Sequence, residues 1–190
     1  MRIRELFDPS KNIDRRIEKV ITYDTTDPER LRQEIMEYVA TESIEASFER
    51  LLDQLDEGLQ GGGGHEIGVW VSGFYGSGKS SFTKYLGFAL DPARTLDGKP
   101  FLDWLQNRFT SQPLRARLAT IAKRHPSTVI MLDLASEQLA GAAMMEISSV
   151  LYSKVMQWAG YSQDRKVAYL EYMLERDGRL ADFEARIPEL

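Results

Sequence analysis

Apolar residues recur at spacings of three and four along the first third of the chain, as in helices that bury one face. Asp27 and Pro28 mark the start of one such helix, because aspartate caps a helix N-terminus and proline suits its first position. A second helix is predicted over residues 41–59. We expect the two helices to pack as an antiparallel pair. Their apolar faces consist of Leu31, Ile35 and Val39 in the first, and of Ile44, Phe48, Leu51, Leu52 and Leu55 in the second.

The pattern changes after four consecutive glycines at 61–64. The stretch "EIGVWVSG", residues 66–73, is short and almost entirely apolar, which is typical of a strand covered on both faces in a parallel sheet. A glycine-rich loop follows, and residues 79–90 then predict a helix with one packed face. Its apolar positions are Phe82, Leu86 and Leu90.

Further helices and one strand are predicted in the rest of the chain. Helical stretches over 101–109 and 113–124 precede a second apolar strand, "STVIMLDLAS", at 127–136. Two more helices follow, the first ending near Gly160 and the last at Asp177 and Gly178, since glycine is the usual residue just past a helix C-terminus. Strands and helices therefore alternate after the tetraglycine.

The order strand, glycine loop, helix, strand is typical of α/β proteins with a parallel sheet. Because that glycine loop reads "GFYGSGKS" at 73–80, which matches the phosphate-binding pattern G-x-x-x-x-G-K-[ST], we expect the fold of a P-loop NTPase of the additional-strand or AAA-like type, with an incomplete parallel-sheet core behind a helical N-terminal region. The predicted divisions are a helical region over 1–60, a glycine-rich linker over 61–66, and the amino-terminal part of the P-loop domain over 67–190.

Composition narrows the classes of protein that fit. The chain has 190 residues, 43% of them hydrophobic and 28% charged, which indicates a folded globular protein. Its net charge of -5 argues against a polycation that coats nucleic acid or anionic lipid. The absence of cysteine excludes disulfides and thiolate chemistry and fits a reducing compartment. With no apolar run near the roughly 20 residues of a membrane span, we expect a cytoplasmic protein without membrane contact.

The octapeptide "GFYGSGKS", residues 73–80, matches the phosphate-binding pattern G-x-x-x-x-G-K-[ST]. A loop that wraps a phosphate chain turns its backbone N–H groups inward, through dihedral angles that glycine reaches without strain. Lys79 supplies a positive charge for the β- and γ-phosphates and is the predicted catalytic residue. The sequence therefore predicts an ATP site formed by Gly73, Phe74, Tyr75, Gly76, Ser77, Gly78, Lys79, Ser80 and Ser81.

Magnesium normally accompanies ATP in such a site, and the Ser80 hydroxyl is the predicted protein ligand. Asp133 ends the second apolar strand, where P-loop ATPases place an acidic residue that holds Mg²⁺ through water. The next residue is Leu134, however, and not a glutamate that would polarise the attacking water. A capping role for Asp133 is the alternative, in which case the hydrolytic residues are absent from this chain.

Three other features have ordinary structural explanations. His65 and His125 lack the spacing of metal ligands, which indicates surface histidines. The tryptophans lie on apolar patterns, so core packing explains them better than base stacking. The region 106–132 has basic residues and no acidic one. This pattern indicates a solvated helix face more than it indicates a phosphate-binding patch. The tryptophans are Trp70, Trp104 and Trp158. The basic residues are Arg108, Arg115, Arg117, Lys123 and Arg124.

Three sequence segments also carry a family resemblance: "DRRI" at 14–17, "EYVAT" at 37–41 and "GVWVSGFYGSGKSSF" at 68–82. With them the chain resembles, over nearly its whole length, the amino-terminal part of the large P-loop ATPases of bacterial anti-phage defence, the BrxC/PglY proteins of BREX and phage growth limitation systems. The resemblance implies an ATPase that works with a DNA methyltransferase and other defence proteins, and that meets DNA through their complex. It carries over Gly73–Ser80 as the nucleotide site.

The resemblance also implies a missing part, because members of that family are several times longer. We expect an amino-terminal fragment, with an unfinished sheet edge through which copies of the chain self-associate. Two other functions fit the same sequence. One is an assembly module whose helices at 27–59 dock partner subunits beside a vestigial nucleotide site, and the other is a compact small-molecule kinase.

Overall fold

The computed structural model describes residues 27–60, 68–132, 147–162 and 164–186. In these ranges the chain is mainly helical, with eight helices and one short hairpin. The helices are α1 (Pro28–Glu37), α2 (Glu42–Gln60), α3 (Lys79–Leu90), α4 (Phe101–Gln106), α5 (Gln112–Arg124), α6 (Ile147–Trp158), α7 (Arg165–Arg176) and α8 (Leu180–Arg186). The hairpin strands are β1 (Thr95–Leu96) and β2 (Lys99–Pro100).

The predicted parallel-sheet core is wrong for the part of the chain that the structure describes. Its one sheet is the antiparallel pair β1–β2, with Thr95 opposite Pro100. Residues 68–73 and 127–132, where strands were expected, are not in strands. Apolar and β-branched residues suit a strand, but a strand also needs a neighbour to receive its backbone hydrogen bonds. Neither segment pairs with such a neighbour within the described ranges.

The hairpin was not predicted, although its signal is present in the sequence. Asp97 and Gly98 join the two strands, and both have positive φ, 53° and 71°. A two-residue turn of that kind favours Asp-Gly, because its backbone twist matches the twist of the paired strands. The side chain of Asp97 also binds Arg32 of α1, with Arg32 Nε 2.7 Å from its Oδ2, which fixes the hairpin against α1.

The helix predictions are confirmed over most of the described chain. The Asp27 side chain caps α1 by accepting from the backbone N–H of Glu29 at 3.0 Å, and Pro28 occupies the first helical position. Asp164 caps α7 in the same way. Gly160 and Gly178 follow α6 and α7 with positive φ, as expected of glycines past a helix end. The short helix α8 was not predicted.

Helix α3 lies at the centre of the main hydrophobic core and contacts α4 and α5. The expected antiparallel pairing of α1 with α2 is not the main packing: α1 packs on α4 and β1, and α2 packs on α5. Val39 was expected on the buried face of α1 but is 72% exposed. The fully buried side chains of this core include Ile35, Phe48, Leu52, Leu105, Leu114 and Leu118.

The segment 127–132 lies along α3 and is held there at two points. Ser127 donates its backbone N–H to the Leu90 carbonyl at 3.3 Å, and Val129 donates to the Asp91 carboxylate at 3.3 Å. Gly87 makes this approach possible, because a Cβ at that position would stand 3.0 Å from a Val129 methyl group and closer still to the end of Met131. The described part of the second predicted strand, residues 127–132, thus packs along a helix and not in a sheet.

Helix α6 contacts α7, and α7 contacts α8. Among the described residues of this region, Val150, Met156 and Ala168 are buried. Trp158 of α6 is 60% exposed, so core packing does not explain it. Of the helices that the structure describes, none combines the length and apolar composition needed to span a lipid bilayer.

Candidate nucleotide site

The glycine loop has the backbone that a phosphate-binding loop requires. Gly76 and Gly78 take φ values of 79° and 84°, in the left-handed region that other residues adopt only with strain. Between them, Ser77 donates its backbone N–H to the Phe74 carbonyl at 3.2 Å and closes a tight turn. Alternation of left- and right-handed residues is what turns successive N–H groups to one side in an anion-binding nest.

The loop leads directly into α3, and Gly78 is the residue before its first turn. The first bond after this residue runs from the Phe82 N–H to the Gly78 carbonyl at 2.9 Å. The backbone N–H groups of Lys79, Ser80 and Ser81 therefore precede the helical hydrogen-bond ladder, and no side chain caps them. These N–H groups lie at the N-terminus of α3, the positive end of the helix dipole, which favours an anion at this place.

Lys79 folds back over the loop from the first position of α3. Its Nζ donates to the Phe74 carbonyl at 2.8 Å. An ammonium group has three N–H donors, so two remain for a ligand. This contact places the lysine charge beside the turn that Phe74 and Ser77 close, where the loop amides also lie.

Gly73, the first residue of the motif, has no room for a side chain. A Cβ on Gly73 would stand 2.9 Å from the Ser77 Oγ and 3.7 Å from the Lys79 Cδ. The glycine at this position therefore lets the loop close on itself with the lysine stem packed across it. Substitution would shift Ser77 and crowd Lys79.

A cleft of about 620 Å³ opens beside the loop. One wall is the stretch from Val69 to Phe74 with Ser77, Gly78 and Lys79, and the opposite wall is Tyr38 with residues of α2. The volume is within the range of small-molecule sites. The α2 wall was missed from the sequence, although Ser47, Arg50 and Gln54 recur at spacings of three and four and so form a polar stripe on one helical face.

The charged side chains described along the cleft are both cations. Among the described residues its lining has two charged side chains, Lys79 and Arg50, and no carboxylate. Arg50 is exposed, and no carboxylate among the described residues pairs with it. In a protein with a net charge of -5, these two cations raise the local electrostatic potential of the described part of the cleft.

Several other predicted site residues are exposed to solvent. Phe74 and Tyr75 are more than 90% exposed, and Trp70 beside them is equally exposed, so the expectation that Trp70 packs in the core is wrong. Ser80 is exposed in the first turn of α3, and Ser81 is half-buried behind it. Asp133, the second predicted magnesium ligand, lies outside the described residues. No group of three or more metal-ligating His, Asp or Glu side chains occurs within the described ranges.

Aromatic side chains of α3 pack against Tyr38 and α2 and so fix the helix that carries Lys79. Tyr85 of α3 stacks edge-on against Tyr38, with ring centroids 4.8 Å apart, and Phe82 packs on Phe48 of α2 at 4.1 Å. Burial raises the pKa of Tyr38 to about 12 and raises that of Tyr85 further. Both phenols therefore stay neutral at ordinary pH and serve as apolar supports for the loop end of α3.

The basic residues at 106–132 form neither an open phosphate patch nor a purely solvated face. Arg117 pairs with Asp53 at 2.7 Å and Arg124 pairs with Asp56 at 2.9 Å, which ties α5 to α2. The exposed Arg108 donates to the Met36 carbonyl at 2.8 Å. These contacts leave the cations beside the glycine loop as the better candidates for a phosphate ligand.

No protein-family model matches this chain, and no solved structure matches it significantly. The geometry of the loop and the cleft is therefore the main structural indication of function.

Proposed function

We propose that this chain binds ATP, with Mg²⁺, through the glycine loop at 73–81, and that it serves as the nucleotide-binding portion of a bacterial anti-phage defence ATPase. The first half of the proposal rests on the loop and the second on the sequence resemblance to the BrxC/PglY proteins. Defence proteins such as a DNA methyltransferase are the partners that this resemblance suggests. The proposed site lies within the mainly helical fold of the described chain.

One observation carries the proposal: left-handed Gly76 and Gly78 lead into the start of α3 while the Lys79 ammonium folds over the same loop. Three kinds of positive group then meet at one place, namely loop amides, helix N-terminal amides and a lysine. A phosphate chain is the ligand that uses all three. Each charge-assisted hydrogen bond contributes about 1.5 to 3 kcal/mol, so several support roughly micromolar affinity.

The residues have distinct tasks in this proposal. The amides of Gly76 and of Gly78 through Ser81 hold the phosphate oxygens, and Lys79 neutralises charge that develops on the β- and γ-phosphates. The Ser80 hydroxyl, exposed beside Lys79, suits Mg²⁺, which normally takes only one or two protein ligands and completes its shell with phosphate oxygens and water. The metal supplies further charge neutralisation when bound.

The helical packing favours this function over a docking role for the N-terminal helices. The apolar faces of α1 and α2 enter the hydrophobic core through Leu31, Ile35, Phe48 and Leu52. They are therefore already covered by the chain itself. The polar stripe of α2 formed by Ser47, Arg50 and Gln54 instead borders the cleft beside the glycine loop, next to Ile44 and Leu51.

Titration of ATP·Mg²⁺ by calorimetry tests the proposal. Lys79→Ala should bind at least tenfold more weakly than the unmodified chain, because it removes the one full charge of the loop. Lys123→Ala, which removes an exposed lysine of α5 outside the cleft, is the matched control and should bind normally. Equal affinities for the unmodified chain and Lys79→Ala would contradict the proposal.

A further inference from the structure

We infer that Arg50 of α2 is the second phosphate-binding cation of this site, and that the site therefore takes nucleotides with two or more phosphates. This inference rests on the proposed nucleotide function. The sequence motif ends at Ser80 and does not include α2, so Arg50 is an addition that the fold supplies. It would make α2 the second wall of the site.

The first support is the charge of the cleft. Arg50 and Lys79 both line it, and no carboxylate among the described residues does. Three arginines on the surface of the same helical region do have carboxylate partners: the half-buried Arg32 binds Asp97, and the exposed Arg117 and Arg124 bind Asp53 and Asp56. Arg50 has no such carboxylate partner within the described ranges. A phosphate bound between the two cations would be attracted by both, and the planar guanidinium suits phosphate oxygens.

The second support is the rigidity of the helix that presents Arg50. Its neighbours Phe48, Leu51 and Leu52 are buried in the core, and the ion pairs from Asp53 and Asp56 fix the same helix to α5. Phe48 also packs against Phe82, three residues after Lys79 on α3. The backbone positions of the two cations are therefore connected through packed side chains, even though both cationic ends are accessible to solvent.

The third support is the nature of the remaining lining. Ser47 and Gln54 lie one helical turn on either side of Arg50 and face the same cleft, where they offer further hydrogen-bond donors. The loop on the opposite wall supplies backbone amides. An extended chain of phosphates can contact donors on both walls, whereas a single phosphate held by the loop amides and Lys79 leaves the α2 wall unused. The chemistry therefore favours a di- or triphosphate.

Competition binding with ATP, ADP, AMP and inorganic tripolyphosphate tests this inference in the full chain. Arg50→Gln should weaken ATP and tripolyphosphate by about tenfold, the low end for an exposed charge-assisted contact, and should leave AMP unchanged. Arg50→Lys should recover part of the loss. Arg186→Gln, the same substitution on exposed α8 outside the cleft, should bind as the unmodified chain does. Circular dichroism of each variant checks that the helices are intact.

A loss that is equal for AMP, ATP and tripolyphosphate would overturn the inference, because it would show a general disturbance of the site. An unchanged ATP affinity in Arg50→Gln would overturn it as well. Failure of this inference is distinct from failure of the nucleotide site itself. If Lys79→Ala loses ATP and Arg50→Gln does not, the site stands without Arg50, and if neither variant differs from the unmodified chain, the site itself is wrong.

Discussion

Lys84 and Glu34 form a buried ion pair that joins α3 to α1, with Lys84 Nζ 2.7 Å from the Glu34 Oε2. Lys84 has no solvent exposure, and Glu34 retains only a small part of its own. Burial lowers the pKa of Lys84, while the hydrogen bond from its ammonium to Glu34 opposes that shift. Lys84 lies on the helix that begins with Lys79, so the ion pair helps to fix the helix that follows the glycine loop.

Removing only the carboxylate should therefore be costly. Glu34→Gln leaves a buried ammonium without its counter-charge, and we expect it to lower the free energy of unfolding by about 3 kcal/mol. Replacing both partners, in Lys84→Met with Glu34→Leu, should cost less, because no buried charge remains at position 84; the 3.2 Å contact of Glu34 with the more exposed Arg30 changes in both variants. Urea denaturation followed by circular dichroism measures both. A double variant less stable than Glu34→Gln would contradict this account of the pair.

Glu45 should make the fold sensitive to acid. This buried carboxylate of α2 accepts from the backbone N–H groups of Thr110 and Ser111, just before α5 begins. Burial alone would raise the pKa of Glu45, but these hydrogen bonds, a further one from the Thr110 hydroxyl and the charge of Arg115 together outweigh burial and lower it below its ordinary 4.5.

The sign follows from linkage. A carboxyl group with a lowered pKa in the folded state contributes stability above its unfolded pKa, and this contribution is lost as the pH falls through the folded value. Glu45→Gln should thus unfold more easily at neutral pH and show a flatter loss of stability below about pH 4.5. Glu49→Gln, on the same helix, is the control. Parallel acid curves for Glu45→Gln and the unmodified chain would exclude this role.

Tyr38 should limit stability at alkaline pH. The buried Tyr38 hydroxyl has no hydrogen-bond partner within the described ranges, and its pKa is raised from 10.0 to about 12 by burial. Between these values the unfolded chain loses the phenolic proton first, so stability declines as the pH rises through this window. The lowered pKa of Lys84 acts in the opposite sense, but only below its ordinary 10.5.

Tyr38→Phe is therefore expected to unfold less readily than the unmodified chain between about pH 10.5 and 12, and to be equally stable or slightly more stable at pH 7, since it removes an unpaired buried hydroxyl. Thermal unfolding monitored across that pH range is the measurement. Marked destabilisation of Tyr38→Phe at neutral pH would mean that the hydroxyl makes a contact that this account lacks.

Gly78→Ala should separate binding from folding. At φ 84° an added Cβ costs roughly 1 to 2 kcal/mol, and the loop would relax by moving the first turn of α3. We expect ATP affinity to fall by at least tenfold. Gly98→Ala, with φ 71° in the hairpin turn, introduces a similar strain away from the cleft and should reduce stability while leaving ATP affinity unchanged. Normal ATP binding by Gly78→Ala would show that the left-handed turn is not required.

The sequence patterns predicted the helices well because a helix satisfies its backbone internally. Asp27, Pro28 and Gly160 mark ends that depend on nearby residues alone. The strands predicted at 66–73 and 127–136 are wrong for the described residues 68–73 and 127–132, because strand formation depends on distant partners that the local pattern does not identify. Val69 and Trp70 are apolar yet exposed for this reason.

The candidate site was likewise predictable only in part. The loop follows from a contiguous motif, whereas its opposite wall depends on how α2 packs beside α3. Arg50 is one charged residue among several in its helix, and only the packing of Phe48 against Phe82 places it at the cleft. Lys84 shows the same limit, since nothing in its spacing distinguishes a buried lysine from an exposed one.

The most direct test of the central claim is an amide NMR titration of the full chain with ATP·Mg²⁺. If ATP binds at the glycine loop, saturable shifts are expected that are largest for the backbone N–H groups of Gly76, Gly78, Lys79 and Ser80, with little change in α7. Saturable shifts centred on another surface, or no shifts at concentrations that saturate ordinary nucleotide sites, would contradict it.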